Sequence, residues 1–398
     1  MSHSPPDGRG EHPLRILIIH NRYRQPGGED VVAEAQARLL RERGHEVRLL
    51  EKHNREIDEY GVLRKAALFL RTADNPAAAA EVAKAVREFQ PQVALVHNTL
   101  PLFSPSIYAP LNRAGVKVVQ FLHNYRLVCA AGTLYRDGAK CTLCADDGPK
   151  HAVKYRCWTG STFASLAFTR MLQRHRRLRT WHTKVDLFVA LNSFMRDLLV
   201  QRGVVPENKV VVQPNFLYVA GAGAATTSAG EGFVFAARLV PEKGVPTLLK
   251  AAELAGPVAL QVIGDGPLLP RALHAPFVGH QSHDEVLKRL AAARALIFPS
   301  EWPEGCPSTI IEAMALGKPV IASRVPGATE LVEDGVNGLL FEPGDAQALA
   351  ACMKRLHEDA GLAMRLGRAG RERYEQRHSP EAGYRRFEEV CGRLGTGV

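Results

Sequence analysis

The sequence predicts an α/β protein built from two doubly wound, parallel-sheet units of Rossmann type. Two patterns predict it. Short apolar runs alternate with amphipathic helical segments along nearly the whole chain, as in a parallel sheet covered by helices. The alternation pauses once, at Ala220–Gly232, where small residues read as a linker or a disordered loop. Length agrees, because 398 residues exceed the roughly 250–300 that one hydrophobic core serves.

The elements follow from periodicity and breakers. Arg15–His20 is a short apolar run that ends in a polar loop, the mark of a buried strand. Glu29–Arg43 carries Val32, Ala35, Leu39 and Leu40 at helical spacing and stops at Gly44. Glu46–Leu50 is the next strand and Ala77–Phe89 the next helix. Strands Val93–Asn98 and Lys117–Asn124 flank a helix near Pro105–Ala114, and strands Asp186–Leu191 and Lys209–Gln213 complete the first half. In the second half, strands are expected at Phe233–Ala237, Val258–Gly264, Phe277–Gly279, Ala295–Pro299, Pro319–Ala322 and Gly338–Phe341. Helices are expected at Val245–Ala255, Ser282–Ala293, Ser308–Leu316, Ala346–Glu358, Leu362–Gln376 and Pro380–Leu394. No fixed-period repeat interrupts the series.

Composition narrows the function. Hydrophobic residues make up 46% of the chain and charged residues 23%, which excludes disordered, collagen-like and coiled-coil chains. The formal net charge of +10 favours an anionic partner without choosing among nucleic acid, an anionic membrane and a phosphorylated substrate. The polar N-terminal residues hold no apolar signal-peptide core, and no run approaches the ~18 apolar residues of a membrane span. The expected location is the cytoplasm. Seven cysteines, an odd number in a reducing compartment, argue against a disulfide framework.

Ligands of paired Rossmann units lie between them, at the carboxyl ends of the strands, and the sharpest motifs occupy such loops. In Pro299–Gly317, Pro307 stands where a helix begins, so free amides around Cys306–Thr309 and the helix dipole suit a diphosphate. Glu304 and Glu312 flank that start and are placed to bind hydroxyls; equally, they read as a loop acid and a helix-surface charge. Arg238 and Lys243 follow the strand Phe233–Ala237 and can neutralise a diphosphate, or form a solvated basic loop. Gly264-Asp265-Gly266-Pro267 is a tight turn that a nucleoside base can approach, though most such turns are only turns. Gly27 and Gly28 permit close approach of a ligand at the first loop, without the G-x-G-x-x-G fingerprint. His123 ends a strand and can donate to a sugar hydroxyl or phosphate; a structural histidine is the plainer reading.

In this order, RLVPEKG (238–244), VIGDGP (262–267), PSEWPEGCPSTIIEAMALGKPVIAS (299–323) and PGATELVEDGVNGLLFEPGD (326–345) resemble the family-4 retaining glycosyltransferases, which have the GT-B fold of two Rossmann-like domains facing a cleft. The resemblance covers nearly the whole chain. It implies a nucleotide-diphosphate sugar donor (UDP-, GDP- or ADP-linked) and a saccharide or lipid-linked saccharide acceptor. It implies that Arg238 and Lys243 bind the diphosphate, Glu312 the ribose, and Glu304 with the amides near Gly305–Ser308 the sugar. Gly27 and Gly28 would line the donor phosphate and acceptor side, and His123 would approach the sugar. No cofactor or catalytic metal is implied. Cys306 stands where members often carry Phe or Leu, and Pro214-Asn215-Phe216 replaces the usual Pro-Asn-Gly, so sugar identity and a site role for Asn215 do not carry over. The expected organisation is an acceptor-side domain (1–213), a linker (214–232), a donor-binding domain (233–378) and a terminal segment (379–398) that crosses back to the first domain.

Two further features stand in the first half. Cys129, Cys141, Cys144 and Cys157 form a C-x11-C-x2-C-x12-C series with His151 as a spare ligand. It suits a structural zinc site in an irregular insertion (129–157), or four reduced thiols buried singly. Residues 150–184 hold nine Lys or Arg and no acid, interleaved with apolar and aromatic residues from about Thr162. That composition suits a membrane surface or a lipid diphosphate, or a helix with a solvated basic face. A nucleic-acid-binding protein using the cysteines and this stretch is the reading from a different class.

Overall fold

Burial on both faces dictates the strands. The computed structural model describes residues 13–24, 27–222, 229–269 and 277–396. The first sheet is formed by β1 (Arg15–Arg22), β2 (Glu46–His53), β3 (Val93–Val96) and β4 (Lys117–Leu122). Along the chain, a separate hairpin of β5 (Tyr135–Arg136) and β6 (Ala139–Lys140) follows β4 before the sheet resumes. β7 (Leu187–Ala190) and β8 (Val210–Val212) complete the sheet in the order β2-β1-β3-β4-β7-β8, all parallel. The central β3 and β7 are wholly apolar and wholly buried. The edge strand β2, EVRLLEKH, carries charge and is only half-buried.

The second sheet contains β9 (Phe233–Ala236), β10 (Leu260–Ile263), β11 (Phe277–Gly279), β12 (Ala295–Phe298), β13 (Val320–Ser323) and β14 (Gly338–Phe341). Its order is β11-β10-β9-β12-β13-β14, again parallel. This order runs outward in both directions from β9, so the switch point lies between β9 and β12, where ligands of such sheets bind. Phe233, Phe235, Ile297 and Ile321 pack with Leu248, Leu349, Met353 and Leu366 from the covering helices into one buried core.

The chain divides into two units: Met1–Gly132, Thr142–Gln213 and Gly383–Val398 form one, and Thr133–Cys141 with Pro214–Ala382 the other. The last helix, Pro380–Leu394, begins in the second unit, and its remainder belongs to the first. There Tyr384, Phe387, Val390 and Cys391 are buried, and the Tyr384 hydroxyl lies 3.1 Å from His45 Nε2. Part of the expected linker is core: Asn215 O meets His378 Nδ1 at 2.9 Å, and Tyr374 donates to Leu217 O at 2.9 Å, all within the second unit. Residues 223–228 of that linker lie outside the described residues.

Among the described residues, which include Cys129, Cys141, Cys144 and Cys157, no group of three or more His, Cys, Asp or Glu is placed to hold a metal ion. The insertion (129–157) carries regular structure. It forms the hairpin and the short helices Leu143–Asp147 and Lys150–Lys154, buries Leu134, Ala145 and Ala152, and is tied by Thr169 Oγ1 donating to Pro149 O at 2.9 Å. The basic stretch is not one continuous helix. It is split among the helices Lys150–Lys154, Thr162–Arg177 and Thr180–Lys184. Arg176 is drawn inward, donating to Leu127 O at 3.0 Å. A helix that periodicity did not reveal, Val62–Arg71, packs against Thr162–Arg177. No helix among the described residues is long and apolar enough to cross a membrane.

Gly244 locks the second unit. It has φ +70°, and a Cβ there would lie 1.8 Å from Pro299 O at the end of β12. Gly244→Ala therefore forces the two loops apart and is expected to destabilise the protein by at least about 2 kcal/mol, read as a lowered urea midpoint; an unchanged midpoint would show that the loops tolerate separation.

Candidate functional site

At the switch point, β9 and β12 end in neighbouring loops. The loop after β9 carries Arg238 and Lys243, and that after β12 carries Ser300, Glu301 and Glu304. Lys243 Nζ lies 2.6 Å from Glu304 Oε1, and Ser300 Oγ donates to the same oxygen at 2.6 Å. The ammonium also sits 5.1 Å from the Trp302 ring centroid, a second attraction for the cation. Arg238 is exposed and makes no ion pair with any described residue. One cation is therefore held and the other is available.

Glu301 N donates to Glu242 O at 2.9 Å and Thr247 Oγ1 to Glu301 Oε1 at 2.7 Å. The hairpin residue Tyr135, also part of the second unit, donates to Glu301 Oε2 at 3.4 Å. Ser300, Glu301, Thr247 and Tyr135 were not found by reading motifs. Glu301 lies within the PSEWPEG segment already singled out, but Thr247 and Tyr135 reach it from distant sequence, which no local spacing reveals.

The helix Ser308–Ala315 starts at this loop, with Pro307 one residue before its first turn rather than inside it. No side chain caps it, so its first amides and positive dipole end are open to an anion. Glu312, one turn in, is buried, and burial pushes its carboxyl pKa up. His283 Nε2, 3.9 Å away, opposes that shift. His283 was likewise missed, because it comes from the helix after β11. The Gly264–Pro267 turn is closed on itself: Gly264 N donates to Gly279 O at 3.1 Å and Gly266 N to Asp265 Oδ1 at 2.7 Å, while Asp265 stays exposed. Gly264 has φ +142°, and a Cβ there would meet Ala237 O at 1.9 Å, which joins this turn to the loop after β9. Arg238, Lys243, Glu304, Gly305, Cys306, Pro307, Ser308 and Glu312 thus belong to one unit and one loop cluster.

In the first unit, Gly27 N donates to Asp30 Oδ2 at 2.7 Å, and Asp30 Oδ1 lies 2.7 Å from His20 Nε2. Gly27 therefore offers its amide to its own helix Gly28–Glu42, not to a ligand, which narrows the role expected of it; Gly28 is that helix's first residue. His123 Nε2 lies 2.8 Å from His97 Nδ1, and His97 Nε2 lies 2.9 Å from Gln36 Oε1. With the Gln36 carbonyl in this orientation, His97 Nε2 carries the hydrogen and its Nδ1 accepts from His123 Nε2. His123 Nδ1 then carries a lone pair, so His123 offers an acceptor rather than the donor expected from sequence. Burial pushes both imidazole pKa values down, keeping both rings neutral at pH 7. His123 lines a pocket of this unit with Glu29, Asn124 and Arg126.

The family follows from two matches. Residues 228–373 match the family described as glycosyl transferases group 1, and residues 26–219 match the one described as glycosyltransferase family 4. This chain belongs to the family-4 glycosyltransferases. It is 31% identical over 177 residues to the amylovoran biosynthesis glycosyltransferase AmsK of Erwinia amylovora, covering 40% of this chain and 44% of AmsK. The chain spans less than half the length of the curated relatives it matches first. The fold is that of Anabaena HepE in complex with UDP, with TM-score 0.64 and 18% identity over 95% of this chain and 100% of that one. Sucrose-phosphate synthase of Thermosynechococcus elongatus matches with TM-score 0.67 and 20% identity over 97% and 100%. The fold is therefore GT-B, two Rossmann-like parallel-sheet domains.

Two measurements check these assignments. The raised Glu312 pKa means that the folded protein holds a proton more readily there than the unfolded chain, so ionisation costs stability as pH rises through that pKa. Glu312→Gln is expected to raise the Tm at pH 8 and to lose that advantage near pH 4; a gain independent of pH would mean that burial does not penalise the carboxylate. Imidazole ¹⁵N spectra are expected to show His123 protonated on Nε2, and a resonance pattern of the Nδ1–H form would reverse the chain from Gln36.

Proposed function

We propose that the chain is a retaining glycosyltransferase that moves a sugar from a nucleotide-diphosphate sugar to a saccharide or lipid-linked saccharide acceptor in polysaccharide or glycoconjugate biosynthesis. One observation carries the reading: an available guanidinium, a held ammonium, an uncapped helix start and a buried carboxylate converge where β9 and β12 end. A nucleoside diphosphate and a sugar need those groups. The UDP in the HepE structure and the naming of AmsK for amylovoran biosynthesis support it. UDP-sugars are accordingly the first donors to try, before GDP- and ADP-sugars.

The roles follow from the chemistry. Arg238 binds the diphosphate through its planar fork, and Lys243 adds a point charge. The amides of the helix start share the leaving charge, which is preorganised electrostatic catalysis. Glu312 accepts from ribose hydroxyls, and its burial makes each such bond count for more. Glu304, fixed by Lys243 and Ser300, accepts from the transferred sugar. The bond from the anomeric carbon to the diphosphate breaks as the acceptor hydroxyl bonds to that carbon from the same face, and the departing phosphate takes the acceptor proton. This scheme asks for no protein base and no cofactor. His123, neutral, accepts from a sugar hydroxyl through Nδ1. The location that fits is the cytoplasm, with a peripheral position on the membrane face.

Thermal-shift and hydrolysis screens of UDP-, GDP- and ADP-sugars test the donor class, and no response to any of them would overturn it. Lys243→Ala is expected to lower kcat/KM about 100-fold or more, and Glu312→Ala to act mainly through the donor KM. Full activity in both variants would remove the site assignment.

A further inference from the structure

Helix Val62–Arg71 carries three large apolar side chains outward. Leu63 is 88% and Leu70 79% exposed, and Phe69 is exposed beside them. Leu63 and Leu70 lie seven residues apart, on one face of the helix. A soluble domain ordinarily turns such a face into its core. Arg64, Lys65 and Arg71 are exposed on the same helix, which contains no acid.

The neighbouring helix extends this surface. Thr162–Arg177 also lacks any acid and packs against Val62–Arg71. The two are joined at one end by His175 Nε2 donating to Ala73 O at 2.7 Å and by Arg174 paired with Asp74 at 3.5 Å. There, Asp74, Arg113, Arg174 and the exposed Leu178 line an apolar groove of about 450 Å³ floored by alanines such as Ala79 and Ala83. Outward leucines are thus flanked by exposed cations on two helices.

We propose that this face is a docking foot for an anionic lipid bilayer, with Leu63, Phe69 and Leu70 entering the headgroup–acyl boundary and Arg64, Lys65, Arg71, Arg113, Arg174 and Arg177 meeting acidic headgroups. The charge pattern selects this occupant. A second copy of the chain would bring the same cations against each other, whereas an anionic surface complements them. The proposal deepens the membrane-face part of the proposed function by naming its element, and it replaces Arg176, Lys150 and Lys154 of the basic stretch with a different set of residues. It does not rest on the donor site.

The test uses the full-length protein and sedimentation with phosphatidylcholine vesicles, with and without phosphatidylglycerol. Binding is expected only with phosphatidylglycerol and to fall with added salt. Leu63→Ser combined with Leu70→Ser is expected to weaken it about tenfold or more. Arg64→Gln combined with Lys65→Gln is expected to weaken it about fivefold per cation removed. Because these side chains are exposed, thermal melts should match the wild type, and turnover with a soluble acceptor should be unchanged, which keeps this result separate from the donor-site reading. Wild-type protein left in the supernatant with anionic vesicles would overturn the proposal. So would double-serine protein that binds as the wild type does, or serine substitutions that convert a dimer to a monomer in sedimentation equilibrium.

Discussion

The ion pair between Lys243 and Glu304 organises the second unit's site. Its side chains are 16% and 7% exposed at a separation of 2.6 Å, so neither charge is well hydrated and each depends on the other. Removing one partner leaves the other as an uncompensated charge in a poorly hydrated site. The pair also ties the loop after β9 to the loop after β12, across the point where the strand order reverses. Ser300, Trp302 and the Glu242 carbonyl all serve to hold those two loops in register. This internal neutralisation limits non-specific attraction, because a bare Lys243 would attract any anion.

The two units solve different electrostatic problems. The second gathers formal charge around an uncapped helix start and keeps it balanced. The first sets a line of neutral groups, from Gln36 through His97 to His123, beside the charged Glu29 and Arg126. Burial enforces that neutrality, since a protonated imidazole in either ring would lose its hydration and face its neighbour. Of the two carboxylates beside this line, Glu29 and Asp30, Asp30 is absorbed by His20 and the Gly27 amide. Burial would raise its pKa, yet those hydrogen bonds hold it below the ordinary range.

Much of this was legible in the sequence because parallel strands buried on both faces write themselves as apolar runs. β11 and β14 fall at the expected residues, and most other strands within two. The loops after β9 and β12 were legible for the same reason: Arg238, Lys243 and Glu304 each follow a recognisable strand. What escaped was set by tertiary contact. Thr247, Tyr135 and His283 reach the site from elements whose own patterns carry no trace of it. The helix Val62–Arg71 escaped because Leu63, Phe69 and Leu70 face outward, contrary to the rule by which helices are found. For the four cysteines, spacing alone says nothing about where thiols point once a hairpin and two short helices intervene.

The placement of the last helix has a consequence for synthesis. Tyr384, Phe387, Val390 and Cys391 complete the packing around His45 in the first unit, yet they are translated after the entire second unit. An N-terminal domain ordinarily folds from residues already translated; here the packing around His45 is complete only once residues that follow the second unit in the chain have been made.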